Sequence, residues 1–381
     1  RPKEAELSYK RAIALEPNYA DAHNNIGNIY KDSGQVDEAI SSYKKAIEIN
    51  PNCSGAYDSL GATYSELGRN EEANAFYGKA RGSNKDFEQG LSLFGDANFT
   101  EATKFFEKSQ HADWKAKTLE SHYRAEEYDL FREKLINFTK NEPHVARTIA
   151  ALSAHYAQNL KTDDPYNFCP NPLNFVCHEK IPELIENNNQ LTNELIKDIK
   201  TAGVLKREYQ YLSHGTALEQ SGGHLFKRSE KTFKKLSTAL IKTIKRYYLH
   251  YQNEKNEFIL SFPKKITFSS AWSIEMKRGG HLSAHNHPEG WISGALYLAI
   301  PKENGEDGQE GAIELSSYFH QYPKLHNEFD KKLILPEVGD VVFFPSSLYH
   351  RTVPFKSNEE RICIAFDVKH DVKNFGSNIG S

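Results

Sequence analysis

The first third of the chain shows apolar residues at helical spacing, and the pattern repeats every 34 residues. Small residues let two helices approach, aromatic residues fill the gaps, and proline ends one unit before the next begins. A fixed period of this length predicts a stack of helical hairpins. The residues related by this interval are Ala5, Ala39 and Ala73; Tyr9, Tyr43 and Tyr77; Ala12, Ala46 and Ala80; Pro17 and Pro51; Gly27 and Gly61; Tyr30 and Tyr64.

Beyond residue 80 the helical spacing continues without the strict interval, and from residue 266 it gives way to alternation of period two. Helices are expected over 114–160, 181–202 and 229–252. The proline-rich stretch 161–180 separates the first of these from the others. Strands are expected over 266–276, 292–300, 311–316, 340–345 and 360–368. Many short strands at such spacing predict a sandwich or barrel in the last third of the chain.

The 34-residue interval and its residue types resemble the tetratricopeptide repeat. The resemblance is firm over residues 1–80 and weaker over 85–160. It implies an α-solenoid with a concave groove, and a groove of that kind is expected to bind a protein or peptide partner.

Composition narrows the class of protein. The formal net charge of −3 lacks the basic excess of nucleic-acid and membrane-surface binders, so neither partner is expected. No apolar run reaches the ~20 residues of a membrane helix. The four cysteines fit no zinc or disulfide spacing, which favours reduced thiols in a cytoplasmic protein. The chain opens at Arg1 inside a repeat, so we expect its true N-terminus to be missing, and an upstream targeting signal stays open.

The last third carries a candidate metal-binding pattern. In an extended segment His285, His287 and Glu289 would point to one face, because strand side chains alternate. Imidazoles and a carboxylate on one face suit a divalent transition metal. His350 follows 63 residues after His287, just beyond the strand expected to end at residue 345, and Arg361 opens the last expected strand.

This order resembles the 2-oxoglutarate oxygenases of the double-stranded β-helix fold. More closely, H-N-H-P, G-D-V-V-F-F-P and R-I-C-I-A-F resemble an oxygenase family often found behind tetratricopeptide repeats. The resemblance covers about residues 165–375. It implies Fe(II), 2-oxoglutarate as cosubstrate and O2, with oxidative decarboxylation to succinate and carbon dioxide. The substrate, like the oligomeric state, stays open.

The resemblance also implies residue roles. His285, His287 and His350 would hold iron, with a second set left open in which His287, Glu289 and His350 form a two-histidine, one-carboxylate site. Arg361 would bind the far carboxylate of 2-oxoglutarate, and Tyr297 would donate a hydrogen bond to it. Trp272 and Ile274 would line the pocket. Trp291, next to the site, is a further pocket candidate that would either contact the substrate or cap the barrel.

The sequence therefore predicts a multidomain α + β protein. Residues 1–160 would form the repeat domain, and residues 161–381 an oxygenase-like domain whose jelly-roll core spans about 265–370 with flanking helices. The expected function is a 2-oxoglutarate- and Fe(II)-dependent oxygenase of the hydroxylase type. Two alternatives stay open at this point, a cupin-like metal protein without 2-oxoglutarate chemistry and a non-catalytic helical-repeat scaffold.

Overall fold

The computed structural model divides the chain into two compact units, Arg1–Asp96 and Ala97–Ser381. The expected boundary between the repeat domain and the oxygenase-like domain, near residue 160, stays a prediction. A division into compact units does not by itself define where one domain ends and the next begins. The described residues are 2–51, 53–67, 69–81, 85–109, 111, 113–140, 147–201, 207–208, 218–221, 223, 225–287, 290–302 and 308–370.

The first unit consists of helices that pack in consecutive hairpins. Their repeated alanines and tyrosines are buried, and Ala39, Tyr43 and Ala46 have no exposed surface. A Cβ added to Gly27 would lie 2.6 Å from the Tyr43 ring, so a glycine recurs where a ring crosses a backbone. The expected hairpin stack is thereby confirmed. The helices are α1 (Pro2–Leu15), α2 (Ala20–Asp32), α3 (Val36–Ile49), α4 (Ser54–Glu66), α5 (Asn70–Arg81) and α6 (Lys85–Gly95).

The second unit begins with four helices built around aromatic residues. Tyr123, Phe131 and Tyr156 form a buried cluster that extends to Tyr322 and Tyr349 of the β region. These helices therefore pack against the β structure that follows them in the same unit. They are α7 (Phe99–Ser109), α8 (Trp114–Arg124), α9 (Tyr128–Thr139) and α10 (Arg147–Leu160).

Later helices cover one face of the large sheet. The apolar stripe of the helix expected over 229–252 is buried, with Phe233, Leu236 and Leu240 fully enclosed, so this helix packs on the sheet as expected. Within the described part of the chain, no helix combines the length and apolar character needed to cross a bilayer. The helices are α11 (Pro182–Thr201), which is interrupted by left-handed backbone at Asn187–Asn189, α12 (Lys231–Tyr251) and α13 (Glu257–Leu260).

The β region forms two antiparallel sheets, and all five expected strands are present. The larger sheet has the order β1-β8-β5-β10-β4-β3-β2, and the smaller has the order β7-β6-β9. A bridge between His285 and His350 extends the smaller sheet. The strands are β1 (Cys177–Lys180), β2 (Arg207–Glu208), β3 (Leu218–Gln220), β4 (Phe268–Met276), β5 (Ile292–Ala299), β6 (Ile313–Ser316), β7 (Lys331–Ile334), β8 (Asp340–Pro345), β9 (Tyr349–Thr352) and β10 (Arg361–Val368).

Strand β10 shows how the two layers are separated. Ile362, Ile364 and Phe366 face the core shared with the helices. Cys363 and Ala365 face a second cluster formed between the two sheets. Because strand side chains alternate, one strand supplies residues to both layers. The space between the sheets is the layer in which the candidate site lies.

Candidate metal centre between the two sheets

Three histidines from two distant segments of the chain meet between the sheets. His285 and His350 are directly paired across the bridge, with main-chain N–H···O distances of 3.1 and 2.9 Å in the two directions. The main chain of His287 is fixed two residues later by its N–H, which donates to the Ser346 carbonyl at 3.0 Å. One ligand atom from each of the three imidazoles lies within 4.8 Å of the others. Such a set is compact enough for all three residues to share one ion.

Each imidazole is oriented by an acceptor at its Nδ1 atom. His285 Nδ1 donates to the Ser283 carbonyl at 2.7 Å, and His350 Nδ1 lies 3.4 Å from the Leu348 carbonyl. His287 Nδ1 is 2.7 Å from a carboxylate oxygen of Asp367. An acceptor at Nδ1 places the ring proton there and leaves the Nε2 lone pair free. This is the tautomer that metal-binding histidines use.

Burial keeps two of the rings neutral. It lowers the pKa of His285 to about 4, with a smaller contribution from His287 beside it. It also holds the pKa of His350 well below its ordinary value, and the other two imidazoles act in the same direction. Both rings are therefore unprotonated at neutral pH, which is the form that binds a metal.

Asp367, which the sequence analysis missed, is a carboxylate that contacts the cluster through His287. It lies on β10 and is 6% exposed. Ser293 donates to its Oδ1 at 2.6 Å and Ser270 donates to its Oδ2 at 3.2 Å. The sequence does contain one sign of its location. Asp367 follows Arg361 by six residues, and an even spacing within a strand places both side chains on the same face of the sheet.

Arg361 is buried with 2% exposure, but its contacts are weak for a charged group. Its Nε donates to the Gly311 carbonyl at 3.2 Å, and the guanidinium lies 5.0 Å from the centre of the Tyr297 ring. Among the described residues it forms no ion pair. The Tyr297 hydroxyl is also buried, and no hydrogen-bond partner for it lies in the described part of the chain. Burial raises the pKa of Tyr297, so the phenol keeps its proton.

A bound anion would satisfy both of these buried donors. A buried cation and a buried hydroxyl each cost free energy unless an acceptor satisfies them. Arg361 and Tyr297 belong to the same sheet face, because Tyr297 pairs with Cys363 two residues beyond Arg361. A carboxylate between them would satisfy both.

The expected pocket residues divide between the layers. Ile274 lies in the cluster between the sheets, and the Trp272 ring centre is 5.5 Å from that of His287. Trp291 lies in the helix-side core, where its Nε1 donates to the Phe258 carbonyl at 3.1 Å, so the structure does not bring it to the histidines. Glu289, the alternative ligand, lies outside the described residues.

Comparisons with known proteins agree with both halves of the sequence analysis. Residues 270–367 match a family described as "Putative 2OG-Fe(II) oxygenase". Residues 3–32, 20–53 and 54–87 match models of the tetratricopeptide repeat. The chain thus combines segments that match the tetratricopeptide repeat with a segment that matches a putative 2OG-Fe(II) oxygenase family. A comparison with curated protein sequences gives no match.

Two solved structures show a weak likeness to the chain. The viral collagen prolyl hydroxylase of Paramecium Bursaria Chlorella virus-1, in its 2OG complex, is 16% identical with a TM-score of 0.34, over 51% of this chain and 96% of that one. A Pseudomonas putida prolyl-4-hydroxylase is 11% identical with a TM-score of 0.35, over 58% of this chain and 100% of that one. Likenesses at this level carry no inference about substrate.

Proposed function

We propose that this protein is an iron(II)- and 2-oxoglutarate-dependent oxygenase of the hydroxylase type, in which His285, His287 and His350 hold the metal. The observation that carries the proposal is the combination of three convergent imidazoles with a buried guanidinium that has no ion-pair partner among the described residues of the same β structure. The family match over residues 270–367 supports the same chemistry.

The donor set fits iron(II). Neutral imidazole binds borderline divalent metals well, and three such ligands leave coordination positions for a cosubstrate and oxygen. With 2-oxoglutarate and O2, bound iron(II) would supply the oxidising power to hydroxylate a C–H bond, with succinate and carbon dioxide as coproducts. The protein's own part is to hold the imidazoles in one tautomer and to place them beside the apolar cluster between the two sheets.

The fit to 2-oxoglutarate rests on Arg361 and Tyr297. A planar guanidinium binds a carboxylate through two parallel hydrogen bonds, and a protonated phenol adds a third donor. A cupin-like metal protein without 2-oxoglutarate has no use for a buried cation in this position. A non-catalytic scaffold has no use for three imidazoles sharing one tautomer. Both alternatives are therefore disfavoured.

The ligand set itself has one competing version, in which Glu289 replaces His285. The short distance between the His285 and His350 rings, 4.3 Å between their centres, favours the three-histidine set. Replacing each residue separately decides between the versions. His285→Gln should abolish iron binding while Glu289→Gln retains it, and the reverse result would establish the carboxylate version.

Succinate formation tests the proposed function directly. The purified chain is incubated with iron(II), ascorbate and 2-oxoglutarate, and both succinate and bound metal are measured. Turnover of 2-oxoglutarate supports the oxygenase. Metal binding without 2-oxoglutarate binding would instead indicate the cupin-like alternative. If the chain binds neither metal nor 2-oxoglutarate, the non-catalytic scaffold is indicated.

Variants at the two halves of the site should separate metal from cosubstrate. His350→Ala should lose iron, whereas Arg361→Ala should keep iron and weaken 2-oxoglutarate binding about 10- to 150-fold. That range corresponds to the ~1.5–3 kcal/mol of hydrogen bonds to a charged group. Iron content and the charge-transfer absorption of the iron–2-oxoglutarate complex are the measurements.

Matched controls exist for both variants. His281→Ala removes a nearby histidine that is outside the cluster, and Arg351→Ala removes an arginine of β9 that is paired with Glu314 at 2.7 Å. Neither change should alter iron or 2-oxoglutarate binding. Full iron occupancy in His350→Ala would refute the ligand assignment, and unchanged 2-oxoglutarate affinity in Arg361→Ala would refute the carboxylate site.

The repeats extend the proposal to a partner. We infer that they bind a protein or peptide, since tetratricopeptide repeats form extended concave surfaces of that use. The cytoplasm is the proposed location, because all four cysteines are free.

A further inference from the structure

We propose that Asp367 is a positioning residue for the metal, acting through His287, and that it supplies the carboxylate that a set of three imidazole ligands lacks. The inference rests on the proposed function, because it concerns the same metal site. No role for Asp367 follows from the ligand pattern in the sequence, since it lies 80 residues from the histidine that it contacts.

The contacts of Asp367 are those of a fixed, charged acceptor. It accepts from the His287 ring at 2.7 Å and from Ser293 at 2.6 Å on the same oxygen. The other oxygen accepts from Ser270 at 3.2 Å. Both serines are the direct cross-strand neighbours of Asp367 in the larger sheet. The carboxylate is therefore held from both sides by hydroxyl groups.

The space around this carboxylate is closed. A Cβ added to Gly290 would lie 3.1 Å from Asp367 Oδ1 and 2.5 Å from the hydroxyl of Ser346, which lies 2.9 Å from the Ser293 hydroxyl and can donate to it. Among the described residues, His287 is the basic side chain in contact with Asp367, and no lysine or arginine forms an ion pair with this carboxylate. The hydrogen bond from the His287 imidazole to this buried carboxylate is electrostatically stronger than the same bond would be in water, because the local dielectric constant is low.

The three imidazoles therefore differ in the group that accepts a hydrogen bond from Nδ1. His285 and His350 face main-chain carbonyls, whereas His287 faces the side-chain carboxylate of Asp367. A carboxylate behind a ligand imidazole fixes its tautomer and makes it a stronger donor to the metal. It also favours the more highly charged oxidation state of the ion. Asp367 would thus provide, at one remove, the charge that a carboxylate ligand supplies in the common facial triad.

Two substitutions separate orientation from charge. Asp367→Asn keeps the shape and an acceptor oxygen but removes the charge, whereas Asp367→Ala removes both. We expect each to weaken iron(II) binding about 10- to 100-fold, the usual effect of losing such a partner. Each should also raise the Fe(III)/Fe(II) midpoint potential. A tenfold larger loss of affinity for Fe(III) than for Fe(II) corresponds to about 59 mV.

The chain offers a matched control in Asp340→Asn. Asp340 is also a buried carboxylate of the larger sheet and is also bonded to a histidine, His178, at 2.7 Å. That pair lies outside the three-histidine cluster, so its loss should leave iron affinity and midpoint potential unchanged. The Fe(III)/Fe(II) midpoint potential distinguishes the two explanations, because a general loss of stability would not raise it systematically.

The outcomes distinguish this inference from the proposed function. If the unaltered chain binds no iron, both fail. If it binds iron and loses it in His350→Ala, while Asp367→Asn keeps wild-type affinity and potential, the role of Asp367 alone is refuted. Should Asp367→Ala fail to fold, Asp367→Asn decides the question by itself. Equal changes in Asp367→Asn and Asp340→Asn would also overturn it.

Discussion

His155, a histidine of the second unit outside the metal site, is neutral because its ring lies away from water. It has no exposed surface, and its Nδ1 accepts from the Tyr123 hydroxyl at 2.7 Å. That hydroxyl accepts in turn from Asn159 at 3.0 Å. Burial lowers the pKa of His155 to about 3, so the folded protein excludes the proton that the unfolded chain binds below pH ~6.5.

A pH dependence of stability follows from this difference. Because the unfolded state binds one more proton between pH ~6.5 and about 3, His155 makes stability fall as the pH falls through that window. His155→Gln should reduce the slope of unfolding free energy against pH by up to about 1.4 kcal/mol per pH unit. Denaturant unfolding of the metal-free protein at several pH values measures it. Identical slopes in the two proteins would contradict the assignment.

At the scale of the element, the 34-residue interval predicts contacts as well as helices. The glycine of α2 recurs because the Tyr43 ring of α3 lies over its backbone, and Tyr77 lies over Gly61 in the same way. In β10 the interval is two, and it sends alternate residues to the helix-side core and to the space between the sheets. The 34-residue interval and the two-residue alternation therefore each predict which part of the structure a residue contacts.

Glycine substitutions in the repeats should have opposite signs. Gly27→Ala places a methyl group 2.6 Å from a buried ring that is anchored by its hydroxyl to Asn28, so we expect a net loss of about 1 kcal/mol or more. Gly78→Ala, at an exposed helical position with nothing within 4 Å, should gain up to ~1 kcal/mol. Circular dichroism during denaturant unfolding measures both changes. Stabilisation by Gly27→Ala would show that the ring is free to move.

At the scale of the whole molecule, ligand binding should stabilise one unit selectively. Iron(II) and 2-oxoglutarate without oxygen, at 100 times the dissociation constant, should stabilise the folded site by about 2.7 kcal/mol. Hydrogen exchange of β4, β5, β9 and β10 should then slow up to roughly 100-fold where it proceeds through unfolding. Mass spectrometry of exchanged peptides measures this. Protection confined to Arg1–Asp96 would place the binding site elsewhere.

The sequence by itself determined the elements and the candidate ligands, because hydrophobic periodicity and residue chemistry are local properties of a chain. It predicted the repeat helices, the five main strands, and the set of His285, His287, His350 and Arg361. It did not give Asp367 its place behind His287, nor did it send Trp291 to the helix-side core. Those results depend on strand register and on which face of a sheet a residue enters, and both are fixed only when distant segments pair.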